Sequence, residues 1–509
     1  MIKASVCLPP VSKSRDHQTR ARVAVGSLLS VEIADLGRDG QGVGRVGDQV
    51  VFVADALPGE LVRVRVVHQA RRHLVAELKG IERPSPDRRQ PPCILSDNCG
   101  GCSLQHCSDA AQVSWKQGMV GEVLRRLGGT DLPPLPLLAA ESPLGYRNRA
   151  VIPLELTDEL RLRAGFYRRG SHQIVNMNHC PVLDARLDRL IEPLKEDLEE
   201  AAWPVDRHGR SGGGLRHLAL RVGHHTGDVL ITLIASNDNL PGLDALASSW
   251  MDRWPEVVGV SLNLQPEPNN KLMGHETRTL CGRDWLEERF AGLRYRIAAD
   301  TFFQVNTVQA ERVVPLLLAA LKAAGTSRSV IDAYCGIGTY TLPIAAAGYR
   351  VEGIEAHLAS VQLARRNAES NGLSALARFS NSDVAEALAQ SLPGAGALLL
   401  DPPRKGLEPP VLEAILNSPP PLLLYLSCDP GTLARDLGRL CGTRQAPQTD
   451  PSVCAEASAD AEANADAGTG AEALAEPEAA RFRLLSVQPL DFFPNTSHVE
   501  TLVVLERCA

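Results

Sequence analysis

The stretch Asp332-Ala333-Tyr334-Cys335-Gly336-Ile337-Gly338-Thr339 constrains this chain more than any other. It follows the apolar run SVIDAY and opens a helical pattern, so two glycines stand where a strand turns into a helix. Without a Cβ, each lets the backbone approach a ligand closely where helical N–H groups are free. Further apolar strands follow at intervals filled by helical stretches: RVEGIEA, ARFSNSD, ALLLDPP, LLLYLSC, FRLLSVQPLDFF and VETLVVLE. That alternation predicts an α/β fold with a doubly wound, mostly parallel sheet, whose ligands bind outside the carboxyl ends of the strands. A dinucleotide fingerprint wants a third glycine three residues past Gly338, and Thr341 stands there instead. Glu355 ends the next strand, where an acid hydrogen-bonds a ribose diol in adenosine-binding folds.

The rest of the chain reads differently. Residues 1–25 are expected to be a flexible N-terminus. From 26 to 83, short alternating strands are punctuated by glycines, the pattern of a small OB-like β-barrel. In LVRVRVV the valines share one face and Arg63 and Arg65 the other, which suits a strand lying on a nucleic-acid backbone. Residues 84–305 begin cysteine-rich, continue as a helix over 110–127 and become a β-rich central domain. A helix over 309–323 leads into the α/β domain, 306–509. The net charge of −7 resides in one Ala/Glu/Asp tract, 443–480, with eight acids against Arg444. Its composition predicts a disordered insertion. Residues 1–90 carry fifteen Lys/Arg against ten Asp/Glu, a surplus suited to phosphates. Neither an apolar run long enough to span a bilayer nor a secretory leader is present, so a cytoplasmic protein without a membrane is expected.

Two residues carry candidate chemistry. Cys428 closes LLLYLSC on the ligand-binding rim, a position for a nucleophile. Glu500, in HVETLVVLE, begins the last strand and is the candidate base. Asp401-Pro402-Pro403 ends the fourth strand over the same crevice. Upstream, Cys93, Cys99 and Cys102 form C-x5-C-x2-C, with Cys180 distant and Cys107 spare. Four thiolates fit an iron–sulfur cluster or zinc, and the single CxxC pair favours iron–sulfur.

FFQVN at 302–306, DAYCGIGT at 332–339, DPPRKG at 401–406, LSCDPGTLARDL at 426–437 and HVETLVVLER at 498–507 resemble the RNA uracil-5 methyltransferases. Within that family the pattern is most similar to the bacterial enzymes acting on 23S rRNA. The resemblance covers the chain from about residue 26. It implies a Rossmann-like class I methyltransferase domain that uses S-adenosyl-L-methionine to methylate uridine C5 through a covalent Cys–C6 adduct. It implies Cys428 as nucleophile and Glu500 as base, with Gln304, Tyr334, Gly336, Gly338, Thr339, Glu355, Asp383 and Asp401 lining the cofactor and base pockets. A [4Fe-4S] cluster on Cys93, Cys99, Cys102 and Cys180 is implied too, as is an RNA-gripping TRAM domain at 26–83. RNA is the expected partner, with no obligate protein partner. Asp429 departs from the asparagine usual beside the nucleophile. A transfer RNA target is the nearest alternative. RNA cytosine-5 methyltransferases carry an extra cysteine in the strand-four motif, and DPPRKG has none. A non-catalytic RNA-binding assembly factor has no need of both Cys428 and Glu500.

Overall fold

The structure, a computed structural model, describes residues 23–207, 213–269, 271–325, 327–443 and 480–508. Nearly all of the acidic tract and of the first 25 residues lies outside them. By their contacts the described residues divide into two units, one running to residue 35 and over 41–85, the other holding 36–40 and 86–508.

In the smaller unit, strands β1 (Leu28–Leu36), β2 (Gly42–Val46), β3 (Gln49–Val53), β4 (Leu61–Gln69) and β5 (His73–Arg83) close a barrel in the order β1-β2-β3-β5-β4. Period-two alternation builds it. Val62, Val64 and Val66 of β4 are fully buried, while Arg63 and Arg65 point out. Gly44 marks a close crossing: a Cβ there would stand 2.4 Å from Val31 Cγ1.

The larger unit opens with helix α1 (Asp109–Gly128), capped by Ser108 and ended at Gly129 in the left-handed conformation. A six-stranded sheet follows, formed by β6 (Arg149–Leu156), β7 (Leu162–Ala164), β8 (Leu215–Val222), β9 (Val229–Ala235), β10 (Val257–Leu264) and β11 (Glu276–Gly282) in the order β11-β10-β9-β8-β6-β7. Ile152, Leu218, Leu220, Ile231 and Leu233 face a core shared with α2 (Ala185–Glu200) and α3 (Leu243–Arg253). The hairpin of β12 (Trp285–Phe290) and β13 (Leu293–Ala298) comes next. Where one helix is expected over 309–323 there are two, α4 (Thr307–Glu311) and α5 (Val313–Ala324). Pro315 accounts for the break, since it has no N–H to donate to Glu311.

The remaining elements are β14 (Ser329–Ala333), α6 (Thr341–Ala346), β15 (Arg350–Glu355), α7 (Leu358–Ser370), β16 (Ala377–Asn381), α8 (Val384–Ser391), β17 (Ala397–Leu400), α9 (Pro409–Asn417), β18 (Leu422–Ser427), α10 (Pro430–Leu440), β19 (Phe482–Leu490) and β20 (Glu500–Arg507). They make a seven-stranded sheet ordered β16-β15-β14-β17-β18-β20-β19, parallel from β16 to β18 and antiparallel for the last two strands. The strand order reverses between β14 and β17, which opens a crevice at their carboxyl ends. Both faces of this sheet are covered. Val330, Leu399 and Leu424 belong to a core with α5, α6 and α7, and Ile331, Leu398 and Leu423 to one with α8, α9 and α10.

The central sheet and the α/β sheet fall in one contact unit, although the sequence suggests a boundary near residue 305. Helix α1, sequentially upstream of the central sheet, packs its Val120 and Leu124 into the core beside α10. Its Lys116 is fully buried and donates to Asp491 Oδ1 at 2.7 Å and to the Phe493 carbonyl at 3.0 Å. Burial penalises both charges, lowering the lysine and raising the aspartate from their ordinary values. Removing one partner strands the other. Lys116→Met should therefore cost about 3–5 kcal/mol in denaturant unfolding, and pairing it with Asp491→Leu should recover most of that loss.

Candidate active site

The glycine loop is shaped by its own backbone. Tyr334 takes φ of 69°, a conformation bulky side chains avoid, and the Tyr334 and Cys335 amides both donate to the Ile354 carbonyl at 3.0 and 3.1 Å. Gly338, at φ 86°, takes a conformation that side chains disfavour, and a Cβ there would crowd Leu342 and Phe379 at 3.2 Å. The Gly336 amide donates to Glu355 Oε2 at 3.1 Å, and the His357 amide to Glu355 Oε1 at 2.7 Å. Each carboxylate oxygen keeps a lone pair for a ligand hydroxyl. Tyr295 of β13 backs the loop, donating from its hydroxyl to the Thr339 carbonyl at 3.2 Å. Asp383, exposed at the end of β16, caps α8 through Ala385 N. A bare glycine backbone flanked by two strand-end acids accommodates an adenosine group bearing a diol.

Across the crevice, Asp401 follows β17, Cys428 follows β18 and Glu500 opens β20. In the β18–β20 ladder Ser427 lies opposite Thr501, so Cys428 and Glu500 are the next cross-strand neighbours. Gln304 is 7% exposed and donates from Nε2 to Asp401 Oδ2 at 3.3 Å. Glu500 is 4% exposed. Burial holds both Glu500 and Asp401 above the usual carboxylate range, with the charge of Asp401 adding to the rise of Glu500 and that of Asp332 to the rise of Asp401. Burial first, then Glu500, push the Cys428 thiol up to about 12, with the Arg404 guanidinium opposing. Asp429 caps α10 through Thr432 N and is ion-paired with Arg38 inside the same unit.

Residues not singled out as site residues in the sequence, several of them inside the family's motifs, complete the edge. Arg404 donates to His498 Nε2 at 3.3 Å, and burial together with Arg404 lowers His498 to about 4, leaving it a neutral acceptor. Asn148 of the central region donates from Nδ2 to the Gln304 carbonyl and to Thr307 Oγ1, each at 2.9 Å, and its amide donates to the Val305 carbonyl. Asn306 reaches the Phe492 carbonyl. FFQVN is thus pinned on both sides. Phe303 is buried, but Phe302 is 57% exposed, an aromatic ring displayed two residues from Gln304.

The cysteine set is only partly assembled. Cys99, Cys102 and Cys180 are raised by burial and also feel neighbouring thiols, Cys93 among them, with Cys102 pushed to about 11 and Cys180 to about 12. Among the described residues, however, no group of three or more His, Cys, Asp or Glu side chains is disposed to hold a metal ion. The thiols are neighbours without forming a closed cage, and the four-cysteine ligand set expected from the sequence is not preformed. Their segment has a second attachment: Gln112 donates to the Leu104 and Cys107 carbonyls and accepts from Asn495 N, while the Leu104 amide donates to the Asn495 carbonyl. It braces the loop that leads into Glu500.

A sequence profile described as tRNA (Uracil-5-)-methyltransferase matches residues 274–449, and a TRAM domain profile matches 22–79, the barrel region. An uncharacterised RNA methyltransferase of Parasynechococcus marenigrum strain WH8102 is 45% identical over 482 residues, 95% of this chain and 96% of its own. One from Nostoc sp. strain PCC 7120 is 40% identical over 496 residues, covering 97% and 98%. The chain belongs to the RNA uracil-5-methyltransferase family. The crystal structure of Pyrococcus abyssi tRNA (uracil-54, C5)-methyltransferase in complex with S-adenosyl-L-homocysteine is similar across 94% of this chain and 99% of its own, at 25% identity and a TM-score of 0.71. In this RNA methyltransferase the candidate catalytic edge and the glycine loop both lie in the larger unit. No described helix is long and apolar enough to cross a membrane.

The loop also makes the enzyme's stability pH-dependent. Asp332 is buried, accepts from Thr341 Oγ1, and is pushed up to about 7 by burial. The native state therefore holds a proton that the unfolded chain releases near pH 4. Stability from this group is complete below that pH and is lost as pH rises through 7. Asp332→Asn should raise the melting temperature at pH 8 and leave it nearly unchanged at pH 4, with ~4 kcal/mol as the upper bound.

Proposed function

We propose that this enzyme methylates carbon 5 of a uridine in RNA, with Cys428 as nucleophile and Glu500 as base. The cross-strand placement of those two residues beside the glycine-loop crevice carries the reading. S-adenosyl-L-methionine, when bound along Gly336, Gly338 and Glu355, supplies an electrophilic methyl group. The protein's own part is covalent. The Cys428 thiolate adds to C6 of the uracil, and the C5–C6 π electrons become enolate density that makes C5 nucleophilic. After C5 is methylated, Glu500 removes its proton, the C5–C6 double bond reforms and the C6–sulfur bond breaks. Gln304 and Asp401 present donor and acceptor groups to the base edge. Phe302 offers a stacking face to a uridine that has left its helix. The cofactor-binding roles of Tyr334, Thr339 and Asp383 belong to the same proposal. Arg404, the cation that opposes the rise of Cys428, stabilises negative charge on the sulfur and on the enolate.

We assign 23S rRNA as target, on the combination of a TRAM barrel and a cysteine set that resembles the ribosomal enzymes. Transfer RNA is the competing substrate, favoured by the description of the matching profile and by the P. abyssi structure. Mapping 5-methyluridine in both RNAs of a deletion strain decides between them. Cys93, Cys99, Cys102 and Cys180 are proposed to draw together around a [4Fe-4S] cluster, supported by their mutual approach. Protein purified without oxygen should be brown and contain iron, and stoichiometric zinc without iron would overturn this assignment.

Cys428→Ala should form no covalent RNA complex and be inactive. Glu500→Gln should still attack and methylate but release slowly, by about 10²–10⁴-fold, so a methylated adduct accumulates on denaturing gels. Turnover by the alanine variant would sink the covalent mechanism. Because the resting thiol titrates at about 12, single-turnover adduct formation should accelerate with pH throughout the neutral to alkaline range. Arg404→Gln should slow it at every pH.

A further inference from the structure

Register in the six-stranded central sheet sets two arginines against each other. Arg149 of β6 and Arg221 of β8 are direct cross-strand partners, and like charges so placed are destabilising. Arg221 is 5% exposed. Its Nη1 donates to the Ala298 carbonyl at 2.8 Å, while Nη2 is buried with no partner among the described residues. Arg149 is held only by long contacts, 3.5 Å to the Ala299 carbonyl and 3.9 Å to Met273 Sδ. Arg147 stands two residues back and donates from Nε to the Arg149 carbonyl. Arg149 feels Arg147, Arg221 feels Arg149, and Asp300 is the acid that both feel. Guanidinium groups do not shed their protons to relieve such crowding. Two cations therefore share one acid with a third arginine two residues away, and one N–H group is denied both water and an acceptor among the described residues, an arrangement that is costly until an anion completes it.

Its location connects it with catalysis. Asn148, between Arg147 and Arg149, holds the backbone of Gln304, and Arg147 is close enough to His498 to help depress that imidazole. We infer that Arg147, Arg149 and Arg221 form a seat for a phosphodiester group of the RNA beside the target uridine, with Arg149 swinging off its weak contacts to uncover Arg221 Nη2. A planar guanidinium pair matches the oxygens of a phosphate, and a phosphate held here fixes the register of the strand while the base enters the crevice. This inference rests on the RNA-methylating reading above.

The test uses the full-length enzyme and a short RNA hairpin with one loop uridine, titrated over a range of salt concentrations. Arg149→Gln should bind about tenfold more weakly, and its slope of log affinity against log salt should fall by ~0.7, the loss of one single-strand phosphate contact. Arg221→Gln should do the same if it folds; should it fail to fold, Arg149→Gln stands alone. Arg253→Gln, on α3 at the opposite face of the sheet, should leave the slope unchanged. Replacing single linkages near the uridine by uncharged methylphosphonates should reveal one linkage whose neutralisation weakens the wild-type enzyme and does not affect Arg149→Gln. Wild-type binding with an unaltered slope in Arg149→Gln, or no such linkage, overturns the seat and leaves the proposed function intact. A wild-type enzyme that binds no RNA overturns both.

Discussion

Ser427 faces Thr501 across an antiparallel ladder, and that register brings a cysteine and a glutamate from sequence positions 72 apart to the same edge of a sheet. A slip of one residue would turn Glu500 toward the opposite face, because side chains alternate along a strand. The ladder can form only because β20 inserts between β18 and β19, and the loop before β20 is held by Lys116, Gln112 and Arg89 from residues far upstream. The proposed nucleophile and base thus share a rim that distant parts of the chain keep in place.

Crowding of carboxylates at that rim shapes its electrostatics. Asp332, Asp401 and Glu500 are each raised by burial first, and the charge of Asp332 adds to the rise of Asp401 and that of Asp401 to the rise of Glu500. A raised glutamate is a stronger base once ionised, which suits removal of a carbon-bound proton. Burial, with Glu500 adding to it, holds Cys428 as a thiol. Arg404 is the countervailing charge, and a neutral His498 orients it without adding a cation of its own. The site is therefore poised rather than active at rest.

The segments around the crevice serve two sheets at once. FFQVN leaves the β13 end of the hairpin, takes hydrogen bonds from Asn148 beside the central sheet and delivers Gln304 to Asp401 on the α/β sheet. The cysteine-rich segment is tied to Asn495, which itself takes a left-handed backbone conformation and is fully buried. Such links join the central region to the candidate site.

Local periodicity makes much of this architecture legible in the amino-acid sequence alone. Alternating valines in LVRVRVV announce a barrel strand, and strands alternating with helices announce the doubly wound sheet. Gly336 and Gly338 mark the loop, and Cys428 and Glu500 are marked by their strand ends and by the family's motifs. These signals survive in sequence because each depends on neighbours a few residues away. Packing of α1 against α10, the reach of Asn148 to Gln304, the Arg404–His498 contact and the opposition of Arg149 to Arg221 have no local signature. Each joins residues far apart in the chain, and only strand register and helix packing bring them together. The cysteine spacing shows the division most clearly: C-x5-C-x2-C marks candidate donors in the sequence, whereas the approach of Cys180 to Cys93 and Cys102 is decided by the fold.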